Sequence, residues 1–214
     1  MSKIKSLICL FSWILLSVGI SHGSGLGIGM PAFFGTVDYD FYTCNVKNIG
    51  ISLIFDTNIS QNRLYNYRLS LGYEEFSHNY HKIYYYEDSD YVREIFDSHK
   101  GFRILTDHSW GFGIFRTPSL RYWLGVNLRA GMVITDGKSG ICVGIGITPV
   151  GCNYDIGPTI SLGMEVGYML YVDDFFLQAI DWTPDEHRIT AGVNKLLFIR
   201  MSILFRIHDT YQDF

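Results

Sequence analysis

Cysteine, proline and long apolar runs are all scarce in this chain, and each scarcity removes a class of answer. Of the four cysteines, Cys9 lies in an N-terminal apolar segment, which leaves Cys44, Cys142 and Cys152 at spacings that match no metal-ligand motif. In an exported chain Cys142 and Cys152 could close a local disulfide with Cys44 left over, or all three could stay free thiols. Prolines number only 5, and no repeat, linker or low-complexity tract divides the sequence, so it reads as one unit. After residue 23 no apolar run approaches the ~20 residues of a spanning helix, although 48% of the residues are hydrophobic. Excess positive charge is missing too. The net charge is −4, and setting aside Lys3 and Lys5 gives −4 − 2 = −6, which is not the balance of a nucleic-acid binder.

The first residues form a separate object. Lys3 and Lys5 precede the apolar stretch Leu7 to Ile20, and small residues follow at Ser21 and Gly23. That is the layout of a secretory signal peptide, with an apolar part short for a membrane span. Cleavage is expected after Gly23, leaving 214 − 23 = 191 residues, the size of one domain.

What the chain has in abundance is alternation. In LLFIRMSILFRI, Leu197, Ile199, Met201, Ile203, Phe205 and Ile207 form one apolar set, while Arg200, Ser202 and Arg206 all fall in the other. A helix would scatter these residues around its axis, whereas a strand sends successive side chains to opposite faces. The same test succeeds elsewhere. Tyr65, Tyr67, Leu69, Leu71 and Tyr73 oppose Asn66, Arg68, Ser70, Gly72 and Glu74; Tyr122 to Ile134 in steps of two oppose Arg121, Trp123, Asn127 and Arg129; Ile160 to Leu170 oppose Thr159, Ser161, Gly163 and Glu165. Counting the weaker segments, eight strands are predicted, at 25–38, 47–57, 63–76, 101–116, 120–134, 139–148, 157–172 and 193–207. Connections 58–62, 117–119 and 149–156 are short or moderate, and 135–138 is a tight turn. Those at 39–46, 77–100 and 173–192 are mostly longer.

A soluble barrel would turn the greasy faces inward, and a membrane barrel turns them out to lipid. The second fits better. The apolar faces carry tyrosines near their ends, as an aromatic girdle would, and the polar faces are rich in Gly and Ser. Lysine is nearly absent from the polar faces. They carry Arg68, Arg103, Arg121, Arg129, Arg200 and Arg206 with Asp56, Glu74, Asp107 and Glu165. Buried charges must be paired, and the arginine fork suits confined pairing with carboxylates. These ten residues are therefore expected to form a charge network in the lumen. Eight strands make an interior that side chains just fill. The expected fold is all-β, an eight-stranded antiparallel up-and-down transmembrane β-barrel over 24–207, followed by a tail at 208–214.

On this signal segment, this alternation and a final strand ending in an apolar row, the chain resembles the small eight-stranded outer-membrane barrels, the OmpX- and OmpW-like families of bacteria. The likeness covers residues 24–214 and is one of pattern. It implies an outer-membrane location, contact with outer-membrane lipid and the barrel assembly machinery, and a monomer. One departure stands out: Phe214 is a terminal aromatic, but Gln212, Thr210 and His208 break the alternation before it.

Three places invite chemistry. Thr106 and His108 fall on a greasy face. Some small outer-membrane barrels modify lipid A, and the deacylases among them use a His and a Ser two apart on one face. Here residue 110 is Trp and Ser109 has the wrong parity, so a polar residue near a membrane boundary, or a bulge, is the simpler reading and no catalytic residue is expected. His78 and His81 have no further ligands at a useful spacing and read as solvated, with no metal or cofactor expected. The glycines of GLGIGM and VGIGIT precede no helix and so make no phosphate loop. The best functional candidate is the connection 77–100, with Tyr80, Tyr84, Tyr85, Tyr86, Tyr91 and Phe96, whose halves could extend the adjoining strands as a surface hairpin for an extracellular or host ligand. Three roles remain open: structural support or adhesion through such loops, a narrow solute passage, and a lipid-modifying enzyme.

Overall fold

The computed structural model describes residues 25–39, 42–57, 64–85, 92–135, 138–174 and 192–206. Of 78–85 and 92–99 it describes the backbone alone. The signal segment, Ile207, the tail, Tyr86 and Tyr91 lie outside the described residues.

Eight strands follow one another in order: β1 Gly25–Tyr39, β2 Tyr42–Asp56, β3 Tyr65–Tyr85, β4 Val92–Arg116, β5 Leu120–Thr135, β6 Lys138–Asp155, β7 Ile160–Asp174 and β8 Gly192–Arg206. Each pairs antiparallel with its neighbours, and β1 pairs with β8 to close the barrel. Followed from Gly25 through Asp56, Arg68, Ser109, Asn127, Gly146, Met169 and Leu196, one row of partners returns to β1 at Gly35. The stagger is 35 − 25 = 10 residues, which requires strands tilted by ~35–45°. At that tilt a strand of 15 residues spans roughly 35–40 Å along the axis, enough to cross a hydrocarbon layer of ~30 Å.

The polarity is that of a membrane barrel. On β8, Leu197, Met201, Ile203 and Phe205 are exposed while Leu196, Phe198, Arg200, Ser202 and Leu204 are buried. On β5, Tyr122, Leu124, Val126, Leu128 and Met132 face out and Arg121, Trp123, Asn127, Arg129 and Val133 face in. Large aliphatic residues cover the outside, and Tyr65, Phe112, Phe115, Tyr122, Tyr154 and Phe205 ring the end nearest the described termini, as an interfacial girdle does.

Glycine makes room where the lumen is crowded. Trp123 is 1% exposed, and a Cβ added at Gly111, Gly125 or Gly151 would press on its indole. Proline interrupts the ladders. Pairing of β1 with β2 skips from Gly29↔Ser52 to Ala32↔Ile49 around Pro31, and the register of β6 shifts between Ile147 and Val150, across Pro149. Proline has no N–H for the ladder, so these are the positions where a pair is lost or a bulge forms.

Three expectations change. The connection 39–46 is not long: Tyr39 pairs with Tyr42, so β2 begins five residues earlier, at 42 instead of 47. Residues 149–155 are not a connection but the second half of β6, and the turn begins at Ile156. The Cys142–Cys152 disulfide is overturned. Both cysteines are free, ten positions apart on one strand, with Cys142 buried in the lumen and Cys152 past the bulge on the outer wall. Ten extended residues separate them by about 33 Å, whereas a disulfide needs Cα atoms ~4.4–6.8 Å apart.

Two substitutions test these assignments. Val126→Arg, in the middle of the outer face, is expected to cost about 2–4 kcal/mol in urea unfolding from lipid vesicles. Gly151→Leu should reduce the heat-modifiable folded band on gels, because the added side chain displaces the Trp123 indole.

Candidate functional site: the filled lumen and the projecting ribbon

The inward residues of β2 to β8 form a chain of alternating charge. Arg68 Nε and Nη2 donate to Asp56 Oδ2 at 2.9 and 2.7 Å, and Arg68 Nη1 donates to Glu165. Arg200 Nη1 stands 3.5 Å from the other oxygen of Glu165, and its Nη2 donates to Asp107 Oδ2 at 2.6 Å. Arg129 holds Asp107 with a bidentate fork, Nε to Oδ1 at 2.8 Å and Nη2 to Oδ2 at 2.9 Å. Its Nη1 reaches Glu74 Oε2 at 3.1 Å. Asp56, Arg68, Glu165, Arg200, Asp107, Arg129 and Glu74 thus form one continuous path through the lumen, each 5% exposed or less. Such pairing is the condition for keeping ions out of water, since an unpaired buried charge costs several kcal/mol.

The remaining arginines extend the system. Arg103 grips Asp173, Nε to Oδ1 at 3.2 Å and Nη2 to Oδ2 at 2.5 Å, and Asn194 Nδ2 donates to the same carboxylate at 3.1 Å. Arg206 pairs with Asp155 at the other end of the barrel. Arg121 is buried with its guanidinium against Gly113. Counting Asp155 and Asp173, six arginines face six carboxylates, and the described lumen is neutral. Aromatic faces carry the guanidinium planes: Arg103 lies 4.0 Å from the Phe76 ring centroid and Arg129 4.5 Å from that of Phe33. Toward the end away from the termini the lumen turns apolar, with Phe33, Val37, Val46, Leu105, Met169, Tyr171, Leu196 and Phe198 in one buried cluster.

Of the ten residues expected in the lumen, nine are buried inside the barrel, and Arg206 lies at its end against Asp155. Asp155, Asp173, Asn48 and Tyr171 complete the network without having been singled out. Asp173 continues the inward parity of Glu165 on β7, so extending that strand by one pair would have found it. Asp155 could not be found that way, because the bulge at Pro149 reverses the parity of β6.

On the outer wall, His108 lies midway along the outward row from Phe102 to Ile114, in regular pairing with Leu69. It is therefore neither at a membrane boundary nor in a bulge. Tyr67 answers for it: its hydroxyl is 2.6 Å from His108 Nδ1, and the imidazole stacks on Trp110. Thr106 donates to the Ala130 carbonyl at 3.1 Å. Both polar groups are satisfied within the wall, as hydrocarbon requires.

The connection 77–100 is mostly strand. Pairing of β2 with β3 ends at Asn45↔Asn79 and that of β4 with β5 at Gly101↔Thr135, yet β3 and β4 stay paired to Tyr85↔Val92. Six further pairs project about 20 Å beyond the wall as a two-stranded ribbon. Tyr80, Tyr84, Tyr85 and Phe96 lie on it, opposite Asp97, Arg93, Val92 and His81. Among the described residues neither ribbon strand has a second neighbour.

No protein-family model and no curated protein matches the chain. Among solved structures it is similar to Neisserial surface protein A, with 12% identity and a TM-score of 0.46 over 86% of this chain and 99% of that one. It is also similar to Ail, the attachment invasion locus protein of Yersinia pestis, with 11% identity and a TM-score of 0.37 over 86% and 97% of the two chains. A de novo designed transmembrane β-barrel gives 12% and 0.29 over 85% and 95%. These likenesses are too loose to carry a functional argument, and the fold rests on the strand pairing itself.

The ion pairs should behave as a coupled set. Arg103→Met is expected to lower stability by about 3–5 kcal/mol by leaving Asp173 buried without its partner. Adding Asp173→Asn should recover part of that loss in the same urea titration.

Proposed function

We propose that this chain is a non-conducting, non-enzymatic outer-membrane barrel that holds the β3–β4 ribbon above the membrane for an extracellular partner. On this reading residues 1–23 are the export signal and the barrel acts as a monomer. The observation that carries the proposal is the contrast between the two ends of β3 and β4. Within the wall they enclose a neutral lumen crossed by the ion-pair path from Asp56 to Glu74. Beyond it they continue as a ribbon whose strands have no second neighbour among the described residues. A lumen packed with paired side chains suits an anchor rather than a passage. Unpaired strand edges offer backbone donors and acceptors to which an extended peptide can add, and aromatic residues along such a strand enrich a recognition surface.

Replacing residues 81–96 by an Asn-Gly turn, which suits a two-residue hairpin, should leave the heat-modifiable barrel intact and abolish attachment of bacteria to the surface or cell that the full-length protein supports. Equal attachment by the trimmed protein would refute ribbon presentation. In planar lipid bilayers the full-length protein should show no stepwise conductance, and steady single-channel steps would favour a solute passage instead.

A further inference from the structure

The outer wall is not equally apolar all the way round. On the side of β8 and β1 to β4, Lys195, Thr36 and Asn45 form one outward row. Phe34, Lys47, Ser77 and Lys100 form the row below it. Asn45, Lys47 and Lys100 are exposed. Every lysine with a described side chain stands in these two rows. Their depth follows from the register. Lys100 and Phe112 of the aromatic girdle are 112 − 100 = 12 residues apart on β4, with no shift between them. At the barrel's tilt this is about 30 Å along the axis, the thickness of the hydrocarbon layer. A stagger of ten residues over eight strands lowers a row by 10/8 = 1.25 residues per strand toward β1, so Lys47 lies about 6 Å nearer the membrane centre. Between those two heights β5 to β8 turn Ile134, Ile141, Val172 and Val193 outward. The ammonium groups are thus gathered on one side of the boundary.

Lys195 is already answered: its Nζ lies 2.6 Å from Asp38, which also accepts from Thr43 at 2.9 Å. Among the described residues neither Lys47 nor Lys100 is held in an ion pair. Glu75 lies one outward position below Ser77, and the Tyr73 hydroxyl donates to it at 3.1 Å. Neighbouring strands are ~4.7–4.9 Å apart, so Lys47 and Lys100 flank Ser77 about 10 Å from each other. Two extended lysine side chains close that gap on an anion seated over the Ser77 hydroxyl. Long cationic side chains lay their stems on an apolar wall and hold their heads at the headgroup level. Ile49, Ile51 and Ile104 are exposed directly below, where the acyl chains of a lipid run. An anion at this depth with hydrocarbon beneath it is the phosphate of a lipid. We propose that Lys47 and Lys100, on either side of Ser77, bind the phosphate headgroup of an anionic lipid in the leaflet on the ribbon's side of the membrane. The inference rests on the barrel spanning the membrane and not on what the ribbon binds.

Native mass spectrometry of the full-length protein, folded in a neutral detergent and titrated with phosphatidic acid or phosphatidylcholine, tests this. Phosphatidic acid should be retained in preference, at one molecule per chain. Lys47→Gln and Lys100→Gln should each weaken its binding about fivefold and the double variant about 30-fold, the scale of a lysine's attraction to an anionic lipid surface. Lys47→Arg with Lys100→Arg keeps both charges and should keep the binding. Arg116→Gln removes the same charge from an exposed position at the other end of β4 and should bind as the parent does. All variants are checked for the heat-modifiable band, so that loss of binding is not loss of fold. Equal retention of the two lipids by the folded parent, or undiminished binding by the double variant, would overturn the site. So would equal weakening in Arg116→Gln, which would mark an effect of net charge alone. Displacement of the lipid by inorganic phosphate at equal concentration would overturn the lipid as its occupant and leave a site for a free anion.

Discussion

The pairing of β1 with β8 is the contact on which everything else depends. Hydrocarbon offers no partner for backbone N–H and C=O groups, so a strand-built wall survives in it only if the last strand hydrogen-bonds to the first. Closure at eight strands with a stagger of ten residues fixes the lumen's width, and that width determines what the inward residues can be. β1 contributes no charge to the lumen. Its inward positions are Gly25, Gly27, Gly29, Pro31, Phe33, Gly35 and Val37, and this small-residue wall leaves room for guanidinium groups reaching across from the opposite side, Arg129 over Phe33 among them.

From that geometry the charge network follows. Long arginine side chains on β3, β4, β5 and β8 span the interior and meet carboxylates from strands that are not their neighbours, as when Arg200 of β8 meets Asp107 of β4. Each carboxylate in the middle of the path is shared by two arginines, so removing one group disturbs partners on several strands. Such coupling ties the wall together from within while lipid contacts act from without. The same filling stiffens the barrel, and the proposed function lies where β3 and β4 leave the wall.

Much of this was legible in the sequence because a strand in lipid has a period of two and a severe penalty for error. The apolar set Leu197 to Phe205 and its polar counterpart needed no structure to be separated, and the arginine-for-lysine bias on the polar faces already indicated confinement. The strands were misread where local chemistry broke the period. Pro149 introduces a bulge that turns Cys152 outward and Asp155 inward, so the disulfide that the sequence left open would have to join two residues on opposite faces. The start of β2 is hidden because its apolar set changes parity: Tyr42, Cys44 and Val46 alternate with Thr43, Asn45 and Lys47, but Cys44 and Val46 face the lumen whereas Ile49, Ile51 and Leu53 face outward.

Sequence alone determined which residues face lipid and which face the lumen, hence the fold class and the membership of most of the charge network, because alternation is a local property of an extended chain. Only the tertiary structure decided who pairs with whom. Arg68 with Glu165, Arg200 with Asp107 and Arg103 with Asp173 are matters of register and stagger, set by turn lengths, two prolines and barrel closure. Those constraints act between segments 97 and 93 residues apart in the first two cases, and no local pattern records them.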